Sequence, residues 1–339
     1  MSKTTKSIVV GFGLLALAAC GAEDAPARPR NLMFVVLDTT RADHLSTYGY
    51  ASETTPTVTE LARRGAKVVI NDLGGSMDGS GGNSEAAEAV VAEIKAMGGE
   101  AIANGSSVAD DAGVKKMIDD TMEAFGRIDI IIANAGILRD KSFSKMTTED
   151  INLVLDVHLR GTFKPVHAAW NIMKEQNYGR IVVTTSSTGL YGNFGQANYG
   201  AGKLGVVGMM NTLKIEGAKN NIKINTVCPI AATRMTEGLM PQAMLDNLKP
   251  EYVTPGVMNL VKEDAPTGMI LSAGAGAFSM AQIVETNGAF VGQGEALTAE
   301  AVAAKWDEIT DTSVQTHFES GSGHGQNIFA RLQEAAAKA

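Results

Sequence analysis

Short runs of apolar residues recur along the chain and are separated by longer amphipathic stretches. The runs rich in Val and Ile predict buried strands at Asn31–Asp38, Lys67–Asn71, Glu100–Asn104, Ile128–Ala133, Ile181–Thr185 and Lys223–Val227. The stretches whose apolar residues recur at helical spacing predict helices at Pro56–Arg64, Glu85–Met97, Val114–Phe125, Glu149–Met173 and Asn198–Gly217. The region after Pro229 is less regular, and we expect it to cap a substrate side.

Strands that are apolar on both faces and alternate with helices favour a doubly wound parallel sheet. The predicted fold class is therefore α/β, with a Rossmann-like three-layer α/β/α arrangement. We expect a single main domain and a helical C-terminal extension, whose last stretch predicts two surface helices.

The N-terminus has the pattern of an export signal. Lys3 and Lys6 precede an apolar segment that is too short for a comfortable membrane span. The segment ends in Leu-Ala-Ala-Cys20, which resembles a bacterial lipoprotein box and predicts a lipid anchor at Cys20. The alternatives are an ordinary cleaved signal and an incidental apolar stretch. The predicted location is the cell envelope if the signal is used, and the cytoplasm if it is not.

Composition narrows the classes of function. The net charge of −8 argues against a general nucleic-acid role. The two cysteines and the five histidines show no spacing typical of a zinc site, so no metal is predicted among the site residues.

Tyr199 and Lys203 stand one helical turn apart, which places both side chains on one face of a helix. A Lys ammonium beside a phenol is expected to lower the pKa of the phenol from about 10 towards neutrality. A phenol tuned in this way can exchange a proton with an alcohol or a carbonyl. Ser186, at the end of a predicted strand, could hydrogen-bond the same oxygen.

With Asn134-Ala135-Gly136 after a strand and Pro229 and Thr233 after the last one, these residues resemble the short-chain dehydrogenase/reductase family. From about Leu61 the chain is most similar to the hydroxyacyl-CoA dehydrogenase domain of the multifunctional β-oxidation enzymes. The resemblance implies an NAD-linked oxidoreductase that acts on a 3-hydroxyacyl-CoA or a similar secondary alcohol, and a homodimer or homotetramer. It implies a catalytic set of Ser186, Tyr199, Lys203 and His158. The residues it implies at the cofactor are Asn134, Ala135, Gly136, Tyr199, Lys203, Pro229 and Thr233.

Asp72 ends the second predicted strand. A carboxylate there can accept hydrogen bonds from ribose hydroxyls and repels a 2′-phosphate, so NAD is favoured over NADP. The alternative is that Asp72 only caps the glycine-rich turn that follows it.

The chain departs from the family pattern at three places. His158 stands where the family usually has a catalytic Asn, and it is either a functional residue or a packed core histidine. Ser106 lies near the expected adenine-binding Asp. The glycine-rich phosphate loop is replaced by a segment whose only glycine is Gly49. Loss of the loop removes backbone donors to a pyrophosphate and predicts weaker NAD binding.

The replacing segment and its strand look like the start of a sulfatase of the alkaline-phosphatase-like superfamily. Asp38 matches that family's metal-binding carboxylate, but the nucleophile motif is absent. The predicted organisation is a signal peptide at 1–20, a tether at 21–30, a sulfatase-like strand and loop at 31–60, a dehydrogenase domain at 61–290 and a helical extension at 291–339. The alternative functions are a non-catalytic, membrane-anchored dehydrogenase scaffold and, more remotely, a metal-dependent sulfatase-like hydrolase. We regard the chain as a join of two families near Leu61.

Overall fold

The computed structural model describes residues 32–36, 56–75, 78, 85–232 and 241–338. Their main element is an eight-stranded sheet with the order β3-β2-β1-β4-β5-β6-β7-β8. Its first seven strands are parallel and comprise β1 Leu32–Val36, β2 Val68–Asn71, β3 Ala101–Asn104, β4 Ile130–Ala133, β5 Gly179–Thr184, β6 Ile222–Ile230 and β7 Ile270–Gly274. This order reverses direction between β1 and β4, which confirms the predicted doubly wound α/β fold.

The sheet is covered by helices on both faces because its strands are apolar on both faces. Alternate residues of β2 enter different cores, with Val68 and Ile70 in one and Val69 in the other. The first core is completed by α1 Pro56–Arg63, α2 Glu85–Ala96 and α9 Thr254–Val261. The second is completed by α3 Asp111–Phe125, α5 Gly161–Gln176 and α7 Ala197–Gly217.

The predicted first strand is confirmed in its place at the centre of the sheet. β1 pairs with β2 on one side and with β4 on the other. The segment that resembles a sulfatase start therefore supplies a strand to the dehydrogenase-like sheet. The loop that follows β1 lies outside the described residues, as do Cys20, Asp38 and Thr233.

The long helix predicted at Glu149–Met173 is present but is not uniformly α-helical. α4 Thr148–Leu155 runs into a π-helical turn at Asp156–Arg160 and then into α5. The amide of Gly161 donates to the carbonyl of Asp156, five residues earlier, which is the π-helical bond. Pro165 lies four residues further on, in α5. The π turn carries His158, so it sets the direction of that side chain.

The second core contains four apolar residues of α7 that could have faced either the sheet or a partner: Val206, Val207, Met209 and Met210. They pack on the sheet. On α5 and α7 the exposed apolar side chains include Phe163, Leu204 and Ile215.

The C-terminal region is more regular than expected. β7 is followed by an antiparallel strand, β8 Ala277–Ala281, at the sheet edge. The predicted two surface helices and the wholly helical extension are wrong in detail, because the first helix breaks at Lys305 into α10 Ala299–Ala304 and α11 Trp306–Ile309. A short strand, β10 Gln315–Thr316, pairs with β9 Glu285–Thr286 before the last helix, α12 Gly321–Lys338. A small helix, α8 Gln242–Leu245, precedes α9.

Candidate active site

Tyr199 and Lys203 lie on one face of α7, as their spacing predicts. Lys203 is buried, and its Nζ lies 5.8 Å from the centroid of the Tyr199 ring. Its ammonium donates a hydrogen bond of 2.8 Å to the backbone carbonyl of Thr184, the last residue of β5. A second hydrogen bond joins the same two segments, because the Thr185 hydroxyl donates to the carbonyl of Lys203 at 2.6 Å. The helix is thereby fixed to the carboxyl end of β5.

Ser186 follows β5 and caps the short helix α6 Ser187–Tyr191, whose Thr188 amide donates to the Ser186 hydroxyl. The Ser186 side chain also lies near the Tyr199 phenol, where it acts to lower the pKa of Tyr199. The predicted convergence of Ser186, Tyr199 and Lys203 is therefore present, and all three approach the carboxyl end of β5.

The predicted lowering of the Tyr199 pKa does not occur in this structure. Burial raises the pKa of Tyr199 above 10, and the nearby Ser186 side chain opposes that rise only in part. Burial also lowers the pKa of Lys203 to about 7. The prediction was wrong because desolvation acts on both groups: a lysine that is partly neutral at pH 7 is a weak source of positive charge for the phenol.

His158 is buried and lies between Tyr199 and Ile137. Its ring meets the Tyr199 ring edge to face, with centroids 4.9 Å apart. Its Nε2 lies 3.0 Å from the Ile137 amide nitrogen and 2.7 Å from the Ile137 carbonyl oxygen. Burial, with a smaller contribution from Lys203, holds the His158 pKa well below its usual 6.5. His158 is therefore a neutral, packed histidine in contact with the Tyr199 ring. The packed interpretation is present, and the predicted catalytic role of His158 stays a prediction.

The Asn134-Ala135-Gly136 turn follows β4 and faces these residues. Asn134 Oδ1 accepts a hydrogen bond of 2.8 Å from the Thr184 hydroxyl, so Thr184 joins the turn to Lys203. Gly136 has to be a glycine, because a Cβ there would lie 2.5 Å from His158 Cε1. Pro229 lies near the end of β6, at the same edge of the sheet.

On the other side of the site, a cavity of about 110 Å³ opens at the carboxyl ends of β2, β3 and β4. Its lining includes Asn71, Leu73, Ser106, Ile137 and Val157. The Ser106 position, where the family's adenine-binding carboxylate is expected, therefore does line a pocket. Ile137 connects this cavity with His158, and through it with Tyr199.

Asp72 is fully buried directly after β2. Its Oδ1 accepts a hydrogen bond of 2.6 Å from the Gly74 amide, and Gly74 adopts a left-handed backbone with φ +71°. The turn-capping role considered for Asp72 is present. The predicted contact of Asp72 with a ribose stays a prediction.

Sequence reasoning missed three residues whose side chains link segments around this site: Thr184, Thr185 and Asn198. The two threonines could have been noticed as polar residues at a strand end. Asn198 carried no signal, because its partners are distant backbone carbonyls. Within the part of the chain that the structure describes, there is no cluster of three or more potential metal ligands. Among the same residues, no helix is both long and apolar enough to cross a membrane.

A doubly wound sheet with a Ser, a Tyr and a Lys converging at a strand end defines a dinucleotide-dependent oxidoreductase. The family model described as short chain dehydrogenase matches residues 55–243. The chain belongs to the short-chain dehydrogenase family, and members of this family generally use NAD or NADP.

Similar proteins include peroxisomal multifunctional enzymes and a short-chain type dehydrogenase/reductase. The chain is 50% identical over 255 residues to mouse peroxisomal multifunctional enzyme type 2, covering 75% of this chain and 34% of that protein. It is 47% identical over 254 residues to a short-chain type dehydrogenase/reductase of Mycobacterium tuberculosis, covering 75% of this chain and 88% of that protein. The full-length Drosophila melanogaster peroxisomal multifunctional enzyme type 2 structure matches with a TM-score of 0.71 and 34% identity, covering 90% of this chain and 49% of that one. The chain thus spans about a third of the mouse protein and half of the Drosophila protein.

Proposed function

We propose that this chain transfers a hydride between NAD and the secondary alcohol or ketone of a 3-hydroxyacyl-CoA-type substrate. The observation that carries the proposal is the convergence of Ser186, Tyr199 and Lys203 in a largely buried site. The choice of substrate rests on the sequence similarity to the dehydrogenase domain of multifunctional β-oxidation enzymes.

In this proposal Tyr199 is the acid and base, and Ser186 positions the oxygen that reacts. NAD, when bound, supplies the hydride acceptor. In the reducing direction the Tyr199 hydroxyl gives its proton to the substrate oxygen, and its raised pKa keeps that proton in place at neutral pH. In the oxidising direction the substrate hydroxyl gives its proton to the ionised form of Tyr199, which the raised pKa makes a minor species at neutral pH. Lys203, held by Thr184, would contact the ribose next to the nicotinamide.

The described residues fit a dinucleotide at both of its ends. Asn134 and Lys203 lie at the catalytic end, joined by Thr184. The cavity beside Ser106 and Leu73 lies at the carboxyl ends of β2 and β3, where this fold class binds nucleotides. The negative charge of Asp72 favours NAD over NADP, because it repels a 2′-phosphate.

Two measurements on the full chain test the proposal. The first is NADH binding by titration calorimetry, for which micromolar affinity is expected. The second is NADH formation with a 3-hydroxyacyl-CoA, with Tyr199→Phe as the control. A folded protein that binds no NADH, or that turns over no more than Tyr199→Phe, overturns the proposal.

One alternative keeps a specific sequence observation in its favour. The segment in place of the glycine-rich loop, next to an export signal, favours a membrane-anchored protein that has lost cofactor binding. This alternative includes the lipid anchor at Cys20 and the cell-envelope location. The main proposal includes them too if the signal is used. Fractionation of cells that express the wild type and Cys20→Ser tests the anchor, since only the wild type should be found in membranes.

Association of copies through α5 and α7 is also proposed. Phe163 and Leu204 are 44% and 47% exposed on these helices, and Ile215 is 53% exposed. Exposed apolar side chains on neighbouring helices are typical of an interface. Light scattering should give the mass of a dimer or tetramer, and Leu204→Glu should reduce it.

A further inference from the structure

The start of α7, which carries Tyr199, is attached to the segment Arg139–Lys141 that follows the Asn134–Ile137 turn. The Lys141 amide donates to the Gly195 carbonyl at 2.9 Å. The Gln196 side-chain amide donates to Asp140 at 2.7 Å. Gln196 stands at the N-cap of α7 but makes no side-chain capping bond. The direction of the first turn of α7 therefore depends on contacts other than a cap.

Asn198 supplies the buried part of that attachment. Its Nδ2 donates to the Arg139 carbonyl at 3.3 Å and to the Asp150 carbonyl at 3.2 Å. Its Oδ1 accepts from the Tyr199 amide at 2.8 Å. Asn198 is 3% exposed, so these bonds do not compete with solvent. One side chain thus joins the backbone of Tyr199 to two other segments of the chain.

Asp150, one of the two residues whose carbonyls accept from Asn198, is itself held in place. The Asp150 carboxylate binds Lys141 at 2.6 Å and completes a capping box with Thr147 at the start of α4. α4 continues into the π turn that carries His158, whose ring contacts Tyr199. Asn198 therefore fixes the backbone of Tyr199 relative to the same elements that pack on its ring.

We propose that Asn198 is a positioning residue, which sets the Tyr199 hydroxyl relative to the Asn134–Ile137 turn. This inference rests on the proposed function for its kinetic consequences. Asn198 acts through Tyr199 and has no contact with the reacting atoms in the proposal. A displacement of about 1 Å in a reacting group can cost roughly 100-fold in rate, so a loss of this attachment affects turnover.

The chain contains a matched control for the structural part of the effect. Asn225 on β6 is fully buried and makes the same set of bonds: its Nδ2 donates to the Leu260 and Pro266 carbonyls, and its Oδ1 accepts from the Met269 amide. It lies away from Ser186 and Tyr199, in the half of β6 that precedes Val227. Alanine at either position removes the same number and kind of hydrogen bonds.

The experiment compares Asn198→Ala with Asn225→Ala in the full chain. Both variants should lower the melting temperature to a similar extent. Only Asn198→Ala should lower kcat, by about 10- to 100-fold, while the substrate KM and NADH affinity stay at wild-type values. The kcat of Asn198→Ser, which keeps one hydroxyl donor, should lie between those of Asn198→Ala and Asn225→Ala. Asn198→Ser replaces Asn198→Ala in the comparison if the alanine variant does not fold.

A second readout does not need turnover. The ring-carbon NMR signal of labelled Tyr199 reports its ionisation, and burial raises its pKa in the wild type. Asn198→Ala, or Asn198→Ser in its place, should move that pKa back towards 10, whereas Asn225→Ala should not. If the wild type shows no turnover, the proposed function fails, but this titration still decides the role of Asn198. Equal kcat in the Asn198 and Asn225 variants, or a Tyr199 titration that none of them changes, overturns the inference.

Discussion

The two halves of the candidate site are built in different ways. The catalytic half, formed by Ser186, Tyr199, Lys203 and His158, is fixed on β5, α7 and the π turn. In it Lys203 binds a strand carbonyl and the Tyr199 ring packs edge to face on His158. The nucleotide half, formed by Asp72, Ser106 and the cavity beside them, lies on loops at the strand ends. The Asp72 carboxylate accepts a hydrogen bond from the Gly74 amide in the turn that follows β2.

This difference indicates where the chain has kept the family pattern. Positions on a helix and at a strand end are set by spacing, so the catalytic half assembles wherever the fold forms. The nucleotide half depends on loop residues, and there Ser106 and the segment after β1 depart from the pattern. We therefore expect substitutions in the catalytic half to have large effects on rate, and those in the nucleotide half to have smaller effects on cofactor affinity and choice.

Tyr199→Phe should give the largest effect. It removes the hydroxyl that exchanges the proton while the ring stays packed on His158. Turnover should fall by about 100- to 10 000-fold, with the melting temperature and NADH affinity nearly unchanged. Tyr191→Phe is the control, since Tyr191 is 73% exposed on α6 and its loss should leave kcat at the wild-type value. A Tyr199→Phe protein with wild-type turnover would remove the catalytic half from the mechanism.

The buried Lys203 should make the free energy of unfolding depend on pH. Burial lowers the pKa of Lys203 to about 7 in the folded protein, against 10.5 for an ordinary lysine. Between pH 7 and 10 the unfolded chain binds a proton that the folded chain has lost, so raising the pH favours the folded state. The free energy of unfolding of the wild type, minus that of Lys203→Met, should rise with pH in this window by at most about 1.4 kcal/mol per unit.

The measurement is urea unfolding of both proteins from pH 6 to about 9, because the Tyr199 phenol, with a pKa of about 10 in the unfolded chain, starts to ionise above about pH 9. A flat difference between the wild type and Lys203→Met would mean that Lys203 is not desolvated. That result would also restore the sequence-based expectation of a charged lysine beside the phenol.

Asp72→Asn tests the nucleotide half and separates its two possible roles. Asparagine can still accept the hydrogen bond from Gly74, so the turn survives, but the negative charge is lost. If the charge binds ribose and repels a 2′-phosphate, the preference for NAD over NADP should fall by about 10- to 100-fold, the value of one or two hydrogen bonds to a charged group. The measurement is kcat/KM with each cofactor.

Asp120→Asn is the comparison for Asp72→Asn, because Asp120 is on α3 and binds Lys116 and Asn104. It should leave the cofactor preference unchanged. An unchanged preference in Asp72→Asn itself would mean that Asp72 serves its turn only.

The sequence predicted the sheet, its doubly wound order and the catalytic half, because apolar periodicity and short fixed spacings depend on local geometry. Even the strand from the segment that resembles a sulfatase could be assigned, since its apolar run fits the central position. The sequence could not predict the π turn at Asp156–Arg160 or the antiparallel strand β8. It also gave the wrong sign for the Tyr199 pKa, since spacing reveals that a lysine is near but not that both groups are buried. Asn198 was missed because its partners are backbone carbonyls far away in the sequence.

The smallest expected effect is a gain in NADH affinity when a carboxylate is restored at one position of the nucleotide half. Ser106→Asp would place a carboxylate beside the cavity where the family pattern has one. The backbone bonds of Ser106, from its amide to Asn104 and from Asn71 to its carbonyl, do not involve the side chain and should persist. One additional hydrogen bond should tighten NADH binding by roughly 2- to 10-fold, measured by titration calorimetry. Ser107→Asp, at the next residue of the same lining, adds the same charge without the predicted contact and should not tighten binding. If both variants weaken binding equally, the cavity repels negative charge and adenine does not lie beside Ser106.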